Sequence, residues 1–188
     1  MGLYLRPMAA HSRPVFESLR GGPLEISSIF RERADKYMVL QKLAQEVLRE
    51  PSHLSPTDRE VIAAFTSKLN GCEYCCGSHT EFARSLGASD DDVRRIATGD
   101  TAAHRLAPIL AYVRKLTLAP STISNDDKQA VLTAGFSEEE LKDAIGVCAA
   151  FNLFNRLVEG HGIPPKSDYS QDAEMLNRHG YDRRYPAR

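Results

Sequence analysis

Apolar residues recur three and four positions apart along almost the whole chain, and alternating β-branched runs are few. That period belongs to an α-helix with one buried stripe, and it leaves little that could form a sheet. Helix stops and starts divide the pattern. Ile26 to Ala34 reads as a short helix. Tyr37 to Arg49 reads as a longer one, with Met38, Leu40, Leu43, Ala44, Val47 and Leu48 on its buried side and Pro51 ending it. Ser55-Pro56-Thr57-Asp58 is a helix start: Ser55 caps, Pro56 suits the first helical position, and Asp58 accepts from free amides. This helix is expected to reach Leu69, where Asn70-Gly71 breaks it. The next is expected to begin near Cys72 and end at Ser85, with Gly87 as its stop. Further helices are predicted near His104–Leu116, at Ser124–Thr133 and from Glu138 to Glu159.

Gly87-Ala88-Ser89-Asp90-Asp91-Asp92-Val93 resembles Gly135-Phe136-Ser137-Glu138-Glu139-Glu140-Leu141. Each has a glycine stop, a serine cap and acids on the first turn. Convergent capping and a pair of similar helical hairpins account for the likeness equally well. The acidic runs are read as helix N-terminal charges. The expectation is one all-α domain over residues 25–163. An irregular arm precedes it at 1–24, marked by Pro7, Pro14, Gly21, Gly22 and Pro23. From Pro164-Pro165 a polar tail, 164–188, is expected to lie over a neighbouring surface.

A chain of 188 residues suits one domain, able to bury about 70% of its unfolded surface. With 42% hydrophobic and 26% charged residues it is not a largely disordered chain. Its net charge of −1 argues against a nucleic-acid partner. No stretch approaches the roughly 18 apolar residues of a membrane span. The longest greasy segment, Val147 to Phe154, is broken by Asn152. The first residues lack the apolar core of a signal peptide, and Arg6 stands where a myristoylation signal has Ser or Thr. A soluble, cytoplasmic protein without a membrane partner is expected.

Cys72, Cys75 and Cys76 fall within five residues of one another, and Cys148 stands alone in an apolar helix. A secreted disulfide framework scatters its cysteines; this distribution suits a local redox or metal site. On a helix, Cys72, Cys75 and His79 fall within roughly 60° of one another, and Cys75 and His79 are one turn apart. Both Cys72 and Cys75 are predicted in the first turn, where the amide dipoles favour thiolate. A nucleophile, a resolving partner and a base are thus brought together. Glu60 lies on the preceding helix in an apolar context (Val61, Ile62, Ala63, Ala64, Phe65). Folded back, that helix lets the carboxylate orient His79 and carry its proton.

Glu60, eleven residues, Cys72, two residues, Cys75, three residues and His79 resemble the signature of the alkylhydroperoxidase D (AhpD)-like, carboxymuconolactone decarboxylase superfamily. Ser55-Pro56, Lys68-Leu69-Asn70-Gly71-Cys72-Glu73-Tyr74-Cys75, Gly135-Phe136-Ser137 and Phe151-Asn152-Leu153-Phe154-Asn155-Arg156 are similar to its peroxidase-related branch. The resemblance covers about residues 25–163. It implies a single-domain AhpD-like helical bundle, assembly as a homo-oligomer, and reduction of hydroperoxides by a cysteine pair. It also implies the roles: Cys75 attacks the peroxide, Cys72 resolves, and His79 with Glu60 relays the proton. An external dithiol, a thioredoxin-like or lipoyl protein, would restore the pair. The chain departs from the best-studied members at Tyr74, where they carry a second histidine.

Other readings stand beside this one. Cys72, Cys75 and His79, with Cys76 or Glu60, also fit a zinc site. The dithiol could serve a non-enzymatic redox sensor or assembly protein. No haem, flavin or nicotinamide motif is visible, so no cofactor is expected. Cys76 reads as a small buried residue and Cys148 as core. His11, His53, His104, His161 and His179 read as surface or capping residues. Asn152, Asn155 and Arg156 read as interhelical hydrogen-bonding groups, with support of the pocket or an oligomer contact as the alternative for Arg156.

Overall fold

A computed structural model of the chain describes residues 15–19, 22 and 24–184. Most of the predicted arm at 1–24, His11 included, lies outside the described residues. These residues form nine α-helices and two short 3-10 turns, at Glu17–Leu19 and Pro120–Thr122, with no strand. The helices are α1 (Ile26–Glu32), α2 (Ala34–Leu48), α3 (Pro56–Leu69), α4 (Glu73–Ser85), α5 (Asp90–Thr98), α6 (Ala107–Leu118), α7 (Asn125–Thr133), α8 (Glu138–His161) and α9 (Ser170–Arg184).

The bundle is organised around α3. Every residue from Asp58 to Ser67 is buried, because α4, α5, α6 and α8 all pack against this helix. Ile62 and Phe65 of α3 meet Leu106, Ile109, Leu110, Val113 and Phe151 in the main core, while Ala63 and Ala64 keep side-chain bulk low at the helix surface. A helix enclosed on all sides must satisfy its polar side chains internally. Thr66 and Ser67 do so by donating back to the carbonyls of Ile62 and Ala63, each at 2.8 Å. The start is fixed by a reciprocal cap between Ser55 and Asp58, with Pro56 opening the helix. Arg105 also pairs with Asp58.

Asn70 ends α3 and ties the turn to α8. Its amide donates to Asn155 Oδ1 at 2.8 Å and to Asn152 Oδ1 at 3.2 Å, and Asn155 donates onward to Ser67 Oγ at 2.9 Å. Arg156, exposed, donates to the carbonyl and side chain of Asn152. These asparagines interrupt an apolar helix because they fasten it to the α3–α4 turn. The two similar capping stretches share one geometry. After α4, the Ala88 amide donates to the Ala83 carbonyl and Gly87 to Arg84; after α7, Phe136 donates to Val131 and Gly135 to Leu132. Both are Schellman endings, each followed by a serine cap at Ser89 or Ser137. The likeness lies in these ends, as α4 has 13 residues and α7 only nine.

The largest departure from expectation follows Pro164-Pro165. The segment read as a polar tail contains α9, which packs across α2 and α4. Tyr169, Ala173 and Leu176 join Leu19, Ile29, Cys72, Tyr74, Cys75 and Phe82 in a second apolar cluster. Among the described residues no helix is long and apolar enough to cross a membrane.

Asn155 is 2% exposed and holds two partners, the half-buried Asn70 and the buried Ser67. Its replacement by Ala leaves the Asn70 amide short of an acceptor, so a loss of about 2 kcal/mol is expected. Urea unfolding checks this, with the half-buried Asn152→Ala losing less.

Candidate active site

Cys72 is the cap residue of α4, with φ −85° and ψ 96°, so it lies just outside the helix rather than within its first turn. Its carbonyl accepts from the Cys76 amide at 2.9 Å. Cys75 lies within the first turn. The expected symmetry of two thiols in one dipole field is thereby corrected, since the turn that brings the chain out of α3 consumes Cys72 as its cap. The Cys72 thiol stands close to that of Cys75. The neighbouring Cys75 thiol, then burial, push it well above the ordinary thiol range.

His79 follows Cys75 by one turn of α4, and its Nδ1 lies 2.5 Å from Glu60 Oε2. The imidazole stands edge-on to Phe151 at 4.5 Å and to Phe82 at 5.1 Å, and it is stacked with Tyr181 at 6.4 Å and 10°. Glu60 is fully buried. Its second oxygen accepts from the Tyr181 hydroxyl at 2.9 Å and from Arg49 Nη1 at 2.6 Å. Burial by itself drives this carboxyl upward. His79, then Arg49 and Tyr181, outweigh burial and hold Glu60 below the ordinary carboxylate value. Arg49 in turn lies over the Tyr181 ring at 5.0 Å.

Arg49 and Tyr181 are the residues that sequence reasoning missed here. Arg49 ends α2 and carries no spacing signal toward Glu60. Tyr181 reaches the site through a break in α9: Gly180 has φ 69° and ψ −175°, a conformation open mainly to glycine. The Tyr181 amide donates to Gln45 Oε1 at 2.8 Å, and a Cβ on Gly180 would lie 2.7 Å from that same oxygen. The helix itself had a signal, in the 4- and 3-residue spacings of Tyr169, Ala173 and Leu176 and in Asp168, which caps the Ser170 amide at 2.8 Å.

A cavity opens beside Cys75. Ile26, Phe30, Leu48, Phe82, Phe151 and Phe154 give it apolar walls; Cys75, His79 and Tyr181 also line it. Tyr74, in place of the second histidine, is another wall residue. It stacks edge-on to Tyr169 at 5.8 Å and accepts from the Ile26 amide at 3.4 Å. The close approach of Tyr169 to α4 depends on Gly77, where a Cβ would lie 3.0 Å from the ring.

The remaining candidates lie apart from this cluster. Cys148 is buried beside Thr117. Cys76 is half-buried, and burial is the chief cause that raises its thiol. His104 is a buried cap rather than a surface residue: its Nδ1 accepts from the Leu106 amide at 3.0 Å at the start of α6. His161 is half-buried and bonded to the Leu157 carbonyl, while His53 and His179 are exposed. Among the described residues no group of three or more His, Cys, Asp or Glu side chains is placed to hold a metal ion. The zinc donor set is therefore not assembled.

Residues 37–117 match the carboxymuconolactone decarboxylase family. The chain is 25% identical over 115 residues to the uncharacterized protein YdfG of Bacillus subtilis, a span that is 60% of this chain and 78% of YdfG. Its fold is similar to that of an uncharacterized peroxidase-related protein from Silicibacter sp. TM1040, with a TM-score of 0.70 and 22% identity over 77% of this chain and 78% of that one. It is also similar to the alkylhydroperoxidase AhpD core of an uncharacterized peroxidase-related protein from Ralstonia eutropha JMP134, with a TM-score of 0.70 and 23% identity over 76% of each chain. Residues 37–117 thus carry the likeness to the carboxymuconolactone decarboxylase family, and the helical fold is similar to that of AhpD-like proteins.

Glu60 binds fewer protons folded than unfolded, so the stability it contributes is complete above its ordinary value of 4.5 and is lost as pH falls below that value. Glu60→Gln is therefore expected to cost most stability at neutral pH. The gap to wild type should narrow below about pH 4.5, as measured by urea unfolding across a pH series.

Proposed function

We propose that the chain is a thiol-dependent peroxidase that reduces hydroperoxides through Cys75 and Cys72. The reading rests on one juxtaposition: a close cysteine pair and a buried carboxylate–imidazole pair converge on one apolar cavity. The match of residues 37–117 to the carboxymuconolactone decarboxylase family supports the same class of chemistry.

Cys75 is the nucleophile, because it is on the cavity wall and in the first turn of α4. Its thiolate attacks the terminal oxygen of the hydroperoxide; the S–O bond forms as the O–O bond breaks. The leaving alkoxide takes a proton from His79, giving the alcohol and a Cys75 sulfenic acid. Glu60 orients the imidazole, and Arg49 and Tyr181 hold Glu60 in place. Cys72 then attacks the sulfenic sulfur; the S–S bond forms, and hydroxide leaves as water with the proton that Cys72 carried. An external dithiol takes up the disulfide by exchange, becoming oxidised itself. The raised Cys72 thiol suits this order, since it stays protonated until Cys75 has been oxidised. Homo-oligomeric assembly, as the family resemblance implies, belongs to the same proposal.

Steady-state peroxide consumption with a dithiol reductant tests the reading. Cys75→Ser should abolish both consumption and single-turnover oxidation. Cys72→Ser should keep single-turnover oxidation, trapped as sulfenic acid by mass spectrometry, and lose turnover. Wild-type protein that forms the Cys72–Cys75 disulfide once but does not turn over with any reductant would instead mark a redox sensor.

Glu60→Gln and His79→Gln should each slow Cys75 oxidation by about a hundredfold. The double variant should be little slower than either, because a relay missing one member has little left to lose. Stopped-flow oxidation rates on variants of unchanged circular dichroism decide this; full additivity would make Glu60 a structural residue.

A further inference from the structure

Gln41 of α2 lines the cavity beside Cys75 and is 3% exposed. Neither its amide nitrogen nor its carbonyl oxygen has a hydrogen-bond partner among the described residues. A buried amide left unsatisfied destabilises the protein, and an apolar side chain of the same length would avoid that cost. The arrangement makes sense if the amide meets a group that is not part of the chain. We propose that the cavity binds an uncharged, largely apolar molecule carrying a second oxygen function, a carbonyl or hydroxyl, and that Gln41 hydrogen-bonds this function. As a substrate specificity, this rests on the peroxidase reading: the molecule would be an organic hydroperoxide with a carbonyl or hydroxyl apart from its O–O group.

Three observations set the chemical class. Ile26, Phe30, Leu48, Phe82, Phe151 and Phe154 offer an apolar body a place to be buried. Asp172, which lines the cavity, is paired with Lys166 at 2.8 Å, and Glu60 behind His79 is paired with Arg49; the lining includes no Lys or Arg, so a carboxylate-bearing ligand meets no cation to hold it. Gln41 stands eight residues before Arg49 on α2, about 12 Å along the helix axis, and Arg49 is the residue that grips Glu60. Gln41 is thereby assigned to a part of the ligand other than the oxygen that His79 would protonate. A primary amide both donates and accepts, which matches either a carbonyl or a hydroxyl.

Binding of unreactive product alcohols tests the site without turnover. The probes are para-acetylcumyl alcohol and para-isopropylcumyl alcohol, which share shape and differ in one carbonyl. Calorimetric titration of the reduced wild-type protein should show the acetyl compound bound about five- to tenfold more tightly, as one net hydrogen bond gives. Gln41→Met, and Gln41→Leu as a second variant, should erase that preference while binding the isopropyl compound as well as wild type does. Both variants should melt no lower than wild type, since an unsatisfied buried amide is removed. Equal weakening of both alcohols would place Gln41 on the group they share and overturn the proposal. An unchanged preference, no binding to wild type, or a marked loss of melting temperature in both variants would overturn it too. The matching hydroperoxides, assayed for kcat/KM, separate the two claims. Selective alcohol binding without peroxide turnover keeps the ligand site and removes the peroxidase reading; turnover without selectivity does the reverse.

Discussion

A carboxylate buried in the middle of the central helix governs this structure. Glu60 is wholly enclosed on α3, and an ionised carboxyl there is tolerable only when its oxygens are matched by donors and positive charge. Three elements meet that demand: His79 from α4, Arg49 from the end of α2 and Tyr181 from beyond the break in α9. The three donors come from positions far apart in sequence, so satisfying one side chain fixes how α2, α4 and α9 sit on α3. The interaction that stabilises the buried charge is also the one that aims the imidazole. Fold and site are solved by the same contact.

The same economy appears at the start of α4. The turn after α3 is pinned to α8 through Asn70, Asn152 and Asn155. It therefore delivers Cys72 as the cap residue and Cys75 as part of the first turn. Two cysteines three apart come to differ in their surroundings: one is fully buried beside its neighbour, and the other is on a cavity wall. Aromatic rings from α4, α8 and α9 then surround the imidazole.

Much of the helical framework was legible because helix ends are written locally. Ser55-Pro56 and Leu69 bound α3 as expected, and Ser137 and Gly162 bracket α8 with a serine cap and a left-handed glycine stop. The pairing of Glu60 with His79 was also legible, from a charged residue in an apolar run and a histidine one turn after a cysteine. What was not legible depends on contacts between distant residues. Arg49 looks like any residue ending an amphipathic helix. Tyr181 follows a glycine in a polar stretch, and only the approach of Gln45 shows why that position lacks a side chain. His104 reads equally as a surface or a capping residue until α6 is seen to take it as a cap.

Read alone, the sequence establishes an all-helical chain, most of its helix ends, and the placement of Cys72, Cys75 and His79 within two turns of one another, with Glu60 on the helix before. Capping, periodicity and i, i+4 spacing act over a few residues, so they can be read without knowing the fold. Tertiary structure decided the rest: which cysteine faces the cavity, what neutralises Glu60, and that the C-terminal segment is a helix forming part of the cavity wall. Those outcomes depend on burial and on donors brought together from opposite ends of the chain. The energy of a buried charge is set by everything around it, and no local stretch of sequence contains that information.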